Sequence, residues 1–115
     1  MKDSKQDSNE RLCQVQKAIS NIERFLHRVD ANIFIENDLI HSAVLMQFII
    51  IGEAIVHVDE STLAKYNYPW YKVRAFRNLI AHQYFNIKIS AVWEITQKEL
   101  PELKTMIENI IQKEF

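Results

Sequence analysis

Glycine, proline and cysteine are scarce in this chain of 115 residues, which contains one Gly, two Pro and one Cys. A β-rich domain needs turn residues about every eight to twelve positions, so their scarcity argues against such a fold and favours an all-α one. The single cysteine, Cys13, cannot form a disulfide within the chain or supply a Cys-based zinc site. A reducing, cytoplasmic setting fits it best.

Long hydrophobic runs are missing as well. The longest run, residues 43–52, is interrupted by Gln47 and stopped by Glu53, and is too short to span a membrane. Residues 1–8 are polar, so we predict no secretory signal there. We expect a protein with no membrane partner, in which residues 1–8 form a flexible lead and residues 9–115 form one helical domain.

Acidic residues are absent from one segment of the chain. Between Ser61 and Trp93 there is no Asp or Glu, while five basic residues and eight of the twelve aromatic residues lie there. The formal net charge of −1 therefore divides into +5 for this segment and −6 for the rest. Basic groups among aromatic rings suit a phosphate backbone with stackable bases. Aromatic core residues and a solvated basic face would give the same pattern.

Hydrophobic periodicity predicts an antiparallel bundle of four to five helices. The second predicted helix is apolar nearly all round, which favours contact with a partner subunit. Asp7-x-x-Glu10 resembles a capping box that opens the first helix, and Ser90 is the expected N-cap of the fourth. The first predicted helix reaches Val29, and the others cover about 37–58, about 70–82 or a little beyond, 91–99, and the residues from Pro101 onward. Residues 30–36 and 59–68 are predicted connections. The second connection is expected to contain one helical turn at 61–66.

The third predicted helix carries a polar face. Since an α-helix has about 3.6 residues per turn, Arg74, Asn78 and His82 follow one another at i, i+4 and i+8 and lie along one line. The same side of the helix holds Arg77 and Trp70, and also Tyr84 if the helix persists that far. The opposite side is apolar and is expected to face the core; it holds Val73, Phe76, Leu79 and Ile80.

These side chains suit cleavage of RNA without a metal. Histidine exchanges a proton near neutral pH, and arginine offers a fixed fork of donors to a phosphate and its pentavalent transition state. One His82 leaves a shortfall, since the reaction needs both a base and an acid, and a two-fold dimer would bring a second His82. An Arg-x4-His spacing is also common on ordinary helix surfaces, where it has no catalytic role.

Residues 77–84, Arg-Asn-Leu-Ile-Ala-His-Gln-Tyr, resemble the Arg-Asn-x3-His-x-Tyr motif of HepT-like toxins in the HEPN superfamily. Residues 50–54 look like the family's signature in the second helix, and Pro69-Trp70 precedes the motif at the expected distance. Trp93 and residues 100–103 resemble its C-terminal pattern. The resemblance covers roughly residues 10–113.

The resemblance implies a homodimeric HEPN-like bundle with a composite active site at the subunit interface. It implies a metal-independent ribonuclease toxin that uses no cofactor and acts on RNA, with tRNA as one candidate. By this resemblance Arg77 and His82 would be the catalytic pair and Asn78 a polar supporting residue. Arg74, which is not part of the motif, is expected to support phosphate binding because it lies on the same helical line. A cognate MNT-type nucleotidyltransferase antitoxin would silence the toxin by transferring AMP from ATP to Tyr84.

Glu53 is the remaining candidate, because it lies in an apolar stretch where a buried carboxylate needs a partner. An arginine of the third helix is the expected partner, and Gly52 is expected to allow close helix packing. Glu53 and His57 have the i, i+4 spacing of metal ligands, but no third ligand lies nearby and we predict no metal site. The rival hypothesis is a non-catalytic adaptor that binds nucleotide or RNA and partners a nucleotidyltransferase.

Overall fold

The computed structural model describes residues 4–115 and is all-helical over that range, which confirms the predicted fold class. The described elements are α1 (Ser4–Phe25), α2 (Ala31–Glu36), α3 (Asp38–Val56), α4 (Glu60–Leu63), α5 (Trp70–His82), a 3-10 turn (Tyr84–Asn86), α6 (Ile89–Gln97) and α7 (Glu99–Glu114). Four to five helices proved too few, because α2 was not predicted and the turn expected at 61–66 is the short helix α4.

Helix α1 begins earlier than its sequence suggested. It starts at Ser4, so Asp7 lies inside it and the predicted capping box does not open it. Ser8 is buried, and its hydroxyl accepts a hydrogen bond of 2.9 Å from the backbone N–H of Asp59. Residues 4–8 of the predicted flexible lead therefore belong to this helix, and residues 1–3 lie outside the described part. The helix ends at Phe25 rather than near Val29.

The predicted connection at residues 30–36 contains helix α2. The Asp30 carboxylate caps it by accepting a hydrogen bond of 2.9 Å from the backbone N–H of Ile33. Phe34, in the middle of the helix, is fully buried. Asn37 then caps α3 in the same way through the N–H of Ile40. A short capped helix with a single buried aromatic has too few residues to show a helical repeat in the sequence.

Helix α3 is the centre of the fold, and it packs most extensively against α1 on one side and α5 on the other. The apolar run at 43–52 is short, but the helix that contains it has 19 residues. Among the described residues, α3 is the one helix that is long and apolar enough to cross a membrane, judged by length and composition alone. Its fully buried residues join the hydrophobic core formed with α1 and α7; they are Val44, Ile51 and Ile55.

Helix α5 has the predicted bounds, Trp70 to His82, and runs antiparallel to α3. It ends where the N–H of Gln83 bonds to the carbonyl of Leu79, so Tyr84 lies in the 3-10 turn and not on the predicted helical face. Trp70, at the start of α5, is buried, and its indole N–H donates to the carbonyl of Leu63 at 3.0 Å.

Helices α6 and α7 close the bundle. Helix α6 begins at Ile89, so Ser90 lies within it and is not its N-cap. Helix α7 begins at Glu99 and accommodates Pro101 in its first turn, where the missing N–H costs no helical hydrogen bond. Helix α7 packs against α1 and α6, and its buried residues are Leu100, Leu103, Ile107 and Ile110.

Candidate functional site

The site is built on a close approach of α3 and α5 at Gly52. A Cβ atom at this position would overlap the Arg77 Cβ and lie 2.7 Å from the Arg77 Cγ, and it would also lie 3.4 Å from the carbonyl oxygen of Val73. Glycine therefore lets the arginine side chain pass directly over α3, as its position in the sequence predicted for close helix packing. The guanidinium therefore reaches Glu53, the residue that follows Gly52 on α3.

Arg77 holds two partners with its two terminal nitrogens. Nη2 donates to Oε2 of Glu53 at 2.5 Å, and Nη1 donates to Oδ1 of the neighbouring Asn78 at 2.8 Å. The predicted pairing of Glu53 with an arginine of this helix is observed. Glu53 is half-exposed rather than buried, with 47% of its side chain accessible, compared with 31% for Arg77. A phosphate can therefore reach the guanidinium from solvent.

The imidazole of His57 contacts the same carboxylate. Its Nε2 lies 3.5 Å from Oε1 of Glu53, the oxygen that Arg77 does not use. The hydrogen bond and charge of Arg77 lower the pKa of Glu53 below its ordinary value; His57 adds to this, and desolvation opposes it. Within residues 4–115, no group of three or more His, Cys, Asp or Glu side chains is arranged to hold a metal ion.

His82 and Tyr84 lie at the C-terminal end of α5 and just beyond it. His82 is the last residue of α5 and is exposed, about 7.5 Å along the helix axis from Arg77. The Tyr84 hydroxyl is 2.9 Å from Oγ of Ser42 on α3. Sequence reasoning missed this serine, because a single hydroxyl 42 residues away belongs to no pattern.

Tyr84 does not meet Arg77 within the chain. Its partner Ser42 lies eleven residues before Glu53, which is about 16 Å along α3. The exposed ring of Phe85 packs edge-on against Tyr84 with 5.7 Å between ring centroids. The structure thus gathers Arg77, Asn78 and Glu53 in one cluster and holds Tyr84 at a second point on the same pair of helices.

Arg74 lies one turn before Asn78 on α5 and is partly buried. Its Nε atom, like that of Arg77, is buried without a hydrogen-bond partner among the described residues. The aliphatic part of each side chain is therefore packed into the fold. Both residues also belong to the segment that lacks acidic residues. The only carboxylate contacting Arg77 among the described residues comes from α3, which leaves the face of α5 itself positively charged.

Known proteins are similar in sequence to this chain over nearly its whole length. The family profile described as "Ribonuclease HepT-like" matches residues 15–110. The chain is 31% identical to "Putative RNase MJ1380" of Methanocaldococcus jannaschii, over 91% of this chain and 97% of that protein. It is 25% identical to "Probable ribonuclease HepT" of Thermococcus cleftensis, over 84% and 88% respectively. No solved structure matches it significantly. The chain belongs to the HepT-like ribonuclease family, within the HEPN superfamily.

Proposed function

We propose that this protein is a cytoplasmic ribonuclease toxin of a toxin–antitoxin pair that cleaves RNA as a homodimer without a metal ion. Family membership supports the ribonuclease activity. The observation that carries the proposal is the Arg77 guanidinium, which is partly exposed and is held by Glu53 and Asn78. Arg77 lies on α5, the helix that ends in His82. Fixed guanidinium donors and an imidazole on one helix are what transfer at an RNA phosphate requires.

The proposed reaction is attack of a ribose 2′-hydroxyl on the adjacent phosphorus. A base removes the 2′-proton, the O2′–P bond forms, the P–O5′ bond breaks, and an acid returns a proton to the leaving 5′-oxygen. The products are a 2′,3′-cyclic phosphate and a 5′-hydroxyl. Arg77 stabilises the charge that develops on the phosphorane, with Arg74 and Asn78 supporting phosphate binding. His82 transfers one of the two protons, and the partner subunit's His82 is a source of the other.

The surface of α3 supports the proposed homodimer. Leu39 and Met46 are large apolar side chains with 81% and 53% of their surface exposed. They lie seven residues apart, and Glu53 follows after another seven, so the three lie along one line of the helix. A second copy covering this line would bury the apolar side chains and bring the two sites together.

The position of Tyr84 supports its proposed role as AMP acceptor. Its ring is 44% exposed and its hydroxyl is fixed by Ser42, so the oxygen is accessible and oriented. In the proposed transfer, the tyrosine oxygen attacks the α-phosphorus of ATP and pyrophosphate leaves. The antitoxin would be an MNT-type nucleotidyltransferase. The added phosphodiester would place bulk and negative charge beside the C-terminal end of α5, close in the chain to His82.

Cleavage of RNA in the presence of EDTA tests the proposed activity. Unmodified protein is expected to cleave total tRNA or a mixed RNA pool, and His82→Ala is expected to abolish cleavage while the helical circular dichroism is retained. His27→Ala is the matched control, because His27 is an exposed histidine in the turn after α1. RNA binding without cleavage by wild-type protein would contradict the ribonuclease and favour the adaptor hypothesis.

Intact-mass spectrometry tests the proposed silencing. Protein produced together with an MNT-type nucleotidyltransferase is expected to gain one or more AMP groups, and Tyr84→Phe is expected to gain none. Tyr71→Phe is the control, because Tyr71 is an exposed tyrosine at the other end of α5. A peptide map that places AMP on another residue would refute the assignment to Tyr84.

A further inference from the structure

A cavity of about 500 Å³ lies between α5 and the start of α7. It is left open because α5 packs extensively on α3 but not on α6 or α7. Val73 and Phe76 line it; both belong to the apolar side of α5 that was expected to face the core, and both are only partly buried. Cavities of about 300–1,000 Å³ are typical of sites that bind small molecules.

The floor of the cavity is part of the hydrophobic core. It is formed by buried side chains of α3 and α7, namely Phe48, Ile51, Leu100 and Leu103. The ring of Phe76 packs edge-on against that of Phe48, with 5.1 Å between their centroids. An aromatic or branched aliphatic group that enters the cavity therefore exchanges water for apolar contacts on several sides.

The rim of the cavity carries more negative than positive charge. Glu99 and Glu102, in the first turn of α7, and Lys72 of α5 are exposed residues that line it. Within residues 4–115, none of these three side chains forms an ion pair or a hydrogen bond. The N-terminal end of a helix favours the ionised form of a carboxyl group. Two ionised carboxylates without a cation partner thus stand at the rim.

Tyr68 adds an aromatic ring to the same part of the lining. The ring is partly buried and lies 4.8 Å from the ring of Trp70, measured between centroids. Burial raises the pKa of the Tyr68 phenol, and the negative charges of Glu102 and Glu99 raise it further. The field of the two carboxylates therefore reaches this ring. A cation placed there is attracted both by the carboxylates and by the face of the ring.

We propose that the cavity binds a small amphiphilic amine, with its apolar body on the buried floor and its ammonium group between the two glutamates and the Tyr68 ring. The buried floor favours a small molecule that enters the cavity over a partner protein that only covers it. Phe48 and Met46 lie on opposite sides of α3, since an α-helix turns by about 100° per residue. The cavity therefore stays open when a second copy covers the line through Leu39 and Met46.

Isothermal titration calorimetry with three indole compounds of similar size tests this site at neutral pH. Tryptamine carries an ammonium group, tryptophol a hydroxyl group and indolepropionate a carboxylate. Tryptamine is expected to bind about tenfold more tightly than indolepropionate, from its contacts with the carboxylates and the ring, and tryptophol is expected to lie between them. Equal affinities, or no binding of any of the three up to their solubility limits, would overturn the proposal.

Substitutions at the rim test the charges. The variant carrying both Glu99→Gln and Glu102→Gln is expected to lose the preference for tryptamine and to keep its affinity for tryptophol, whereas Lys72→Met is expected to bind tryptamine more tightly. Glu108→Gln is the matched control, because Glu108 is an exposed glutamate of α7 that does not line the cavity. Unchanged preference for tryptamine in the double variant would overturn the role of the glutamates.

Amide chemical shifts locate the bound amine. Tryptamine is expected to shift the signals of residues 67–76 and 95–103 most strongly; shifts centred on Leu39 and Met46 instead would place it on the proposed subunit contact and overturn the assignment. The inference does not depend on the proposed function. His82→Ala is expected to bind tryptamine as wild type does, so that binding and RNA cleavage can fail separately.

Discussion

Within residues 4–115, two ion pairs join neighbouring helices, and they differ in what surrounds them. Arg77 and Glu53 connect α5 to α3, and Lys104 and Glu23 connect α7 to α1 at 3.0 Å. All four side chains are between 31% and 49% exposed, so burial does not distinguish the pairs. Distance and exposure alone would give both the modest contribution of a surface salt bridge.

The two pairs differ in how many other groups contact them. Arg77 also binds Asn78, its carboxylate partner also contacts His57, and the helices approach closely at Gly52. Lys104 uses both oxygens of Glu23 and forms a flexible point-charge contact. In the proposed function, the guanidinium fixed in two directions would bind a phosphate, whereas no such role is proposed for the lysine pair that joins α7 to α1.

Removing Arg77 is expected to have the largest effect. Arg77→Ala should lower kcat/KM for RNA by about 100- to 1,000-fold, because it removes donors to the phosphorane, while the fold is retained. Lys104→Ala is the matched variant in the other pair and should leave cleavage unchanged. Equal loss of activity in both variants, measured by initial rates at fixed salt, would remove the distinction between the pairs.

Gly52→Ala should show how strictly the site depends on close helix packing. Overpacking costs about 1–3 kcal/mol, and about 1 kcal/mol is recovered from helix propensity. We expect a net decrease in the free energy of unfolding, because the overlap is with the Arg77 Cβ and α5 must shift to relieve it. The decrease should be larger for Gly52→Ser, and cleavage should fall in both variants as Arg77 moves. Urea denaturation and initial rates measure the two effects.

Ala75→Gly is the control for this substitution, because Ala75 is an exposed residue of α5. It should lose only the propensity contribution of about 1 kcal/mol and keep its activity. Unchanged cleavage by Gly52→Ala would contradict the role given to the glycine.

Ser42→Ala should have a smaller effect on stability. It removes the hydrogen bond to the Tyr84 hydroxyl, which is worth about 1 kcal/mol or less for a contact open to water. Ser20→Ala on α1 is the control, because Ser20 is also a helical serine and is exposed. Slower modification of Tyr84 in Ser42→Ala, followed by mass spectrometry, would show that the serine orients the hydroxyl; an unchanged rate would contradict this.

The two pairs should also respond to opposite extremes of pH. Glu53 has a folded-state pKa below 4.5, held down chiefly by Arg77, so its contribution to stability is present above that pH and lost as the pH falls through the lowered pKa. Lys104 has a pKa raised above 10.5 by Glu23, so its contribution is present below that pH and lost as the pH rises through the raised pKa.

Urea midpoints across pH measure this response. Glu53→Gln should differ from wild type above pH 4.5 and converge with it in acid, and Lys104→Met should converge with wild type in alkali. Both effects are expected to be small, because these side chains are solvated. Convergence of Glu53→Gln at high pH instead would reverse the sign and contradict the pairing.

The long helices could be predicted because their apolar residues repeat over several turns. Helix α5 was predicted with its observed bounds. The short helix α2 was missed, since its six residues hold too little periodicity and it depends on an aspartate cap and on the burial of Phe34. By helical position Trp70 falls on the polar side of α5, yet it is buried and its indole N–H bonds to the carbonyl of Leu63, the last residue of α4.

Local spacing along the chain was enough to establish the helical class and the set of polar residues on α5, because both are properties of single helices. Only the tertiary structure decided that Glu53 has His57 on one oxygen and Arg77 on the other, and that Ser42 holds Tyr84. Arg77 and Glu53 are 24 residues apart, and Tyr84 and Ser42 are 42 apart. Such contacts depend on how two antiparallel helices pack, which no local pattern specifies.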